Sequence, residues 1–183
     1  MSSWYYLMAQ LPALPADSSS ALPVTEEYFL ELCGRFLDKK TVGMLKKLSL
    51  EPPKKLEKTG SAVLDAWYDW ERKLRLVLAQ IRARKLKKDF PAESESDFPI
   101  EIVQTARTAC GFTSPLEAEL YLNKARFDEL NQLMPADAFC TDAVIAYAIR
   151  LKLADRIRLF DEEKGKASYK NIYEKILANG ETK

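Results

Sequence analysis

Three observations point to an all-α protein, a multi-helix bundle of two stacked helical lobes with two long helices. Val63, Trp67, Trp70, Leu74, Val77 and Ile81 recur in alternating steps of four and three residues, which lays them along one seam of a single long helix. Ile145, Ile149, Leu153, Ile157 and Phe160 repeat that design in the second half of the chain. No stretch alternates convincingly with period two, so little or no sheet is expected.

In chain order, Trp4 to Leu11 reads as a short aromatic and apolar arm, cut by Pro12 and Pro15 and followed by the polar stretch Asp17 to Ser20. Thr25 offers an N-cap, with Glu26 and Glu27 in the favourable first turn, to a helix carrying Phe29, Leu30, Cys33, Phe36 and Leu37 and ending near Asp38. A shorter piece, Val42 to Leu48, follows. Pro52 and Pro53 then make a loop before Thr59-Gly60-Ser61 opens the first long helix, which runs to Lys88 if unbroken. Phe90-Pro91 and the solvating run Glu93, Ser94, Glu95, Ser96, Asp97 mark a boundary, dividing the chain into an N-terminal lobe 1–90, an acidic linker 91–98 and a C-terminal lobe 99–183.

Past the linker, a helix from about Pro99 to Cys110 buries Ile100, Val103 and Ala106 and stops at Gly111, which is free to take a left-handed C-cap. Ser114-Pro115-Leu116-Glu117 is a capping box with proline at the first helical position, opening a helix whose inward stripe reads Leu116, Leu120, Phe127, Leu130, Met134. The second long helix runs from Asp137 to Thr141 through about Glu163, with Gly165 beyond its end. A last helix starts after Ser168, turns Tyr169, Ile172, Tyr173 and Ile176 inward, and ends at Gly180.

Composition narrows the chemistry. The 183 residues carry 28 basic and 27 acidic side chains, so no overall field holds the chain on nucleic acid or an anionic membrane. The apolar runs fall far below the ~20 residues of a membrane span, and the N-terminus lacks a signal-peptide pattern, which predicts a cytoplasmic chain. Histidine is absent, which removes the usual general base near neutral pH and with it Ser-His-Asp and Cys-His pairs. Cys33, Cys110 and Cys140 are odd in number and widely spaced, so they read as small buried hydrophobes rather than a disulfide framework or metal site. No Gly-rich phosphate loop occurs, so no ATP binding is expected. The reading is a non-enzyme with no cofactor, no metal and no small-molecule substrate.

Three segments carry a resemblance. Trp4-Tyr5-Tyr6-Leu7-Met8-Ala9-Gln10-Leu11-Pro12-Ala13-Leu14, Trp67-Tyr68-Asp69-Trp70-Glu71-Arg72-Lys73-Leu74-Arg75 with Arg82-Ala83-Arg84-Lys85, and Ala146-Tyr147-Ala148-Ile149-Arg150-Leu151-Lys152-Leu153-Ala154-Asp155-Arg156 resemble an uncharacterised bacterial family encoded among V-type ATPase genes. More distantly they are similar to the C-type stalk component of the V-type ATPase, a longer protein of three similar lobes. The resemblance implies a non-catalytic central-stalk spacer, peripheral on the inner face of the cell membrane. It would join the rotor shaft to the ion-carrying ring, with other V-type ATPase subunits as its partners.

A spacer needs stiff helices and docking anchors, and exposed aromatics and arginines serve best as anchors. The candidate contacts are therefore Trp4, Tyr5 and Tyr6 at one extremity and Arg82, Arg84 and Lys85 at another. The tryptophans of the long helix read as core. The basic run spreads around its helix at ~100° per residue, the pattern of a solvated terminus, so no nucleic acid is expected. A free-standing helical adaptor or nucleic-acid-binding module using that basic end is the alternative.

Overall fold

In the computed structural model, which describes residues 3–14, 22–55, 57–88, 97–158, 160 and 162–180, the order of elements is α1 (Ser3–Gln10), α2 (Glu26–Phe36), α3 (Lys39–Lys47), α4 (Ala62–Lys85), α5 (Ile100–Gly111), α6 (Pro115–Gln132), α7 (Thr141–Arg158) and α8 (Glu162–Gly180). No strand occurs among the described residues. None of the helices there is long and apolar enough to cross a membrane.

Local chemistry sets the helix starts. Thr25 accepts the Tyr28 amide at 3.2 Å, and Asp38 accepts the amides of Lys40 and Thr41 at 3.0 and 3.1 Å, so the residue expected to finish α2 instead caps α3. Gly60 takes φ +89°, a left-handed turn open to glycine, and aims the chain into α4. Ser61 then accepts the Leu64 amide at 3.2 Å while donating to Asp142 on α7 at 2.5 Å, which ties the start of one long helix to the start of the other. Ser114 accepts the Glu117 amide at 3.4 Å with Pro115 in the first turn of α6, as the capping sequence predicts.

Two apolar clusters form, and α4 runs through both. The first gathers Leu7 of α1, Phe29, Leu32 and Cys33 of α2, Leu45 of α3, Val63, Leu64 and Trp67 of α4, Phe127 and Leu130 of α6, and most of α7. The second gathers Leu74, Val77 and Leu78 of α4 with Phe98, with Ile102, Val103, Ala106 and Ala109 of α5, and with Leu122 of α6. The apolar interior is thus divided along α4, while α7 packs into the same cluster as α1 to α3. Of the linker, Phe90, Pro91 and the run from Glu93 to Ser96 lie outside the described residues, as do Pro15 and Asp17 to Ser20; Phe98 is buried in the second cluster.

Several expectations are corrected. Gly111 ends α5 without a left-handed turn, because the following Phe112 leaves in extended geometry (φ −65°, ψ 142°). Ile100 is exposed, and Ile102 and Ala109 take the inward positions of α5. On α6, Leu120 is exposed, because the helix is turned to bury Leu122, Asn123 and Arg126 beside Phe127 and Leu130; Met134 lies beyond the end of α6 and is exposed as well. The second long helix ends at Arg158, and the last begins at Glu162 and runs through Gly165. Tyr169, Ile172, Tyr173 and Ile176 face solvent. Only Cys33 is fully buried, and that burial pushes its thiol up to about 12; Cys110 and Cys140 are half-buried.

Candidate docking surfaces

Leu7 anchors α1 in the first cluster with no exposed surface, and the helical repeat then decides what its neighbours can reach. Trp4 turns toward the same cluster and is half-buried against it. Tyr5 and Tyr6 point outward with 56% and 47% of their surface exposed. Their rings meet edge to face at 6.0 Å, and Tyr5 also lies 4.9 Å from Phe139. Phe139 sits in the turn before α7, where its amide donates to the Asp137 carboxylate at 2.8 Å. An exposed patch of three aromatics results. Phe139 gave no signal in the sequence, since a lone aromatic in a turn belongs to no periodic pattern. The chain leaving α1 is pinned by the Tyr147 hydroxyl, which donates to the Pro12 carbonyl at 2.9 Å from a ring stacked on Phe29 at 5.4 Å. Burial pushes that phenol up to about 12.

The second set of expected contacts lies where α4 ends. The Lys87 amide donates to the Arg84 carbonyl at 3.1 Å and the Lys88 amide to the Ala83 carbonyl at 3.0 Å, the paired bonds of a Schellman cap, with Lys87 at φ +52° where glycine is usual. Arg82, Arg84 and Lys85 are exposed around this end. Lys85 donates to the Cys110 carbonyl at the end of α5, another C-terminus that favours a cation. The aromatic set rests on the first cluster and the basic set extends beyond the second, so the fold keeps the two sets apart rather than joining them.

Between the clusters lies a group of charges that apolar periodicity does not reveal. Glu71 of α4 is 1% exposed, and Arg126 of α6 grips it with two bonds, Nε to Oε2 at 2.9 Å and Nη2 to Oε1 at 3.0 Å. Arg75 adds a bond to Glu71 Oε1 at 2.7 Å and reaches Glu51 at 3.3 Å. Arg126 also donates to Asn123 at 3.3 Å, and Arg156 of α7 holds Glu119 at 3.0 Å. Three carboxylates face three guanidinium groups, so the charges cancel locally. Burial, with Arg126 nearby, lowers the affinity of Arg156 for its proton. This network ties α4, α6 and α7 at the point where α4 passes from one cluster to the next. Glu71 sits four residues after Trp67 and three before Leu74, on the apolar seam itself, and that misplaced charge was the available signal.

Two other surfaces are distinctive among the described residues. A shallow groove of about 670 Å³ runs beside Trp70 between α5 and α6, with Ile102, Tyr121 and Ala125 lining it and Glu101, Asp128 and Glu129 among its carboxylates. Partial burial, reinforced by Glu101, raises Glu129 above the ordinary carboxylate range. The other surface is α8, whose side chains from Gly165 to Leu177 are all exposed. Comparison with family models, with curated proteins and with solved structures finds no match for this chain.

Proposed function

We propose that the chain is a non-catalytic connector, a central-stalk spacer of a bacterial V-type ATPase that couples the rotor shaft to the ion-carrying ring. The observation that carries this reading is α4, a helix of 24 residues and ~36 Å that passes through both apolar clusters and is cross-tied at their junction by Glu71 and Arg126. Such a rod resists bending, because close-packed side chains leave it little room to yield. Docking anchors lie on separate parts of the body, Tyr5, Tyr6 and Phe139 on one cluster and Arg82, Arg84 and Lys85 beyond the other. The resemblance of the Trp4, Trp67 and Ala146 segments supplies the identity of the machine. In this reading the protein is cytoplasmic and meets the membrane only through its partners.

Affinity capture from native membranes, followed by mass spectrometry, tests the assignment. Rotor-shaft and ring subunits should be recovered with the wild-type bait and be lost with a Tyr5→Ala/Tyr6→Ala or an Arg82→Glu/Arg84→Glu bait. Deleting the gene should leave the ATPase incompletely assembled. A fully assembled and coupled enzyme in the deletion strain would overturn the assignment.

A further inference from the structure

Tyr169, Ile172, Tyr173, Ile176 and Leu177 keep between 50% and 71% of their surface exposed. Their spacing places all five on one face of α8. A lone helix of this length is marginal in water, and an exposed apolar stripe marks a surface meant to be covered. At ~100° per residue, Lys175 borders one margin of the stripe, and Lys170 borders the other beside Glu163 and Glu174. Both of these lysines are exposed, and Lys170 approaches Glu174 only at 4.0 Å in solvent, a pairing that holds neither side chain in place. The stripe therefore has one cationic edge, at Lys175, and one of mixed charge, at Lys170.

The groove between α5 and α6 has the opposite character. Its floor is Trp70, Ile102, Tyr121 and Ala125, and its rim carries the carboxylates of Glu101, Asp128 and Glu129 beside the cation Lys124. Partial burial in the cleft, with Glu101 nearby, makes Glu129 hold its proton more tightly than an ordinary carboxylate, a strain that an arriving ammonium group relieves. An apolar floor with anionic edges complements an apolar stripe whose Lys175 edge is cationic.

The chain's own α8 is poorly placed to fill its own groove. Arg156, near the end of α7, is bonded to Glu119, and Phe127 and Leu130 share a cluster with α7, which puts α7 on one side of α6. Tyr121, Lys124, Ala125 and Asp128 occupy the opposite face of α6 by the same helical arithmetic. The four Cα steps from Arg158 to Glu162 reach at most ~14 Å, little more than one helix diameter.

We propose that α8 of one copy docks in the α5–α6 groove of a second copy, and reciprocally, closing a two-fold dimer in which stripe lysines face Glu101, Asp128 and Glu129. Reciprocity matters because one-way docking leaves a groove and a helix unused at the ends and grows into a filament. The inference does not depend on the rotary-ATPase reading.

Sedimentation of the full-length chain across a concentration series tests it. The wild type should pass from monomer to dimer and stop there, with dissociation favoured by added salt. Ile172→Asp/Ile176→Asp in α8 and Glu101→Lys/Asp128→Lys in the groove change exposed positions, so circular dichroism should show both folded, and both should remain monomeric where the wild type is dimeric. Mixing the two variants should restore a mixed dimer, because one intact helix then meets one intact groove. Adding Lys170→Glu/Lys175→Glu to the groove variant should restore its own dimer. A monomer at every concentration, open-ended growth, or a dimer untouched by the groove variant would each overturn the proposal.

Discussion

Lys87 stands at φ +52° at the end of α4, a conformation in which a β-carbon crowds the following carbonyl. The cap forms nonetheless because the bonds to Arg84 and Ala83 close the last turn. Lys87→Gly should stabilise the protein by about 0.5–1 kcal/mol, read as a rise of roughly 2 °C in the thermal midpoint. Glu129 offers a test in the other direction. Its proton is held more tightly in the folded state than in the unfolded chain, so the folded state binds more protons between the ordinary carboxylate value and the raised one. The contribution is favourable at low pH and is lost as pH rises through the raised value. Glu129→Gln should therefore be more stable than the wild type at neutral pH, with the difference vanishing on acidification; denaturation midpoints measured across that range in dilute protein check the sign. Neither residue stood out in the sequence, because a left-handed lysine and a crowded carboxylate are set by what surrounds them.

Among the helices, those with sharp start signals were legible. Thr25, Ser61 and Ser114 each cap where the residue types predict, and the seam of α4 buries Val63, Trp67, Leu74 and Val77. The face of α6 was not legible, since it buries Asn123 and Arg126, which apolar counting assigns to solvent. Arg126 is inside because Glu71 is inside, and neither choice can be read without the other. Glu71→Gln leaves the buried Arg126 with no carboxylate nearer than Glu119 at 4.0 Å and should cost about 3–5 kcal/mol, whereas Arg126→Met leaves Glu71 its bond to Arg75 and should cost less. Glu71→Met combined with Arg126→Met should cost less than the sum of the corresponding single changes, by about 1–3 kcal/mol in a double-mutant cycle of urea denaturation. Additive losses would show that the pair is not coupled. The last helix departs from its pattern for a different reason. A stripe such as Tyr169, Ile172, Tyr173 and Ile176 announces a covered face, but periodicity does not say which molecule covers it.

The assembled chain differs from its linear division in one respect. Residues before and after the acidic stretch share the first cluster, through Phe29 and Trp67 on one side and Ile145, Ile149 and Leu153 on the other. Because α4 belongs to both clusters, neither can lose its order without disturbing the other. Urea unfolding followed by tryptophan fluorescence, which reports on Trp4 against the first cluster and on Trp67 and Trp70 stacked at 6.0 Å near the junction, should coincide with unfolding followed by far-ultraviolet circular dichroism. Two separated transitions would show that the clusters unfold as independent units.

The buried fork between Glu71 and Arg126 has a mechanical consequence. An apolar seam alone tolerates slippage, since leucine slides past leucine at little cost, but a slip of one helical turn, about 5.4 Å, would strand both ions in a dry interior. The pair behaves like a key seated in a shaft: it fixes the axial register of α6 on α4, so that a pull or twist applied at one end is delivered at the other instead of being dissipated as creep between the rods.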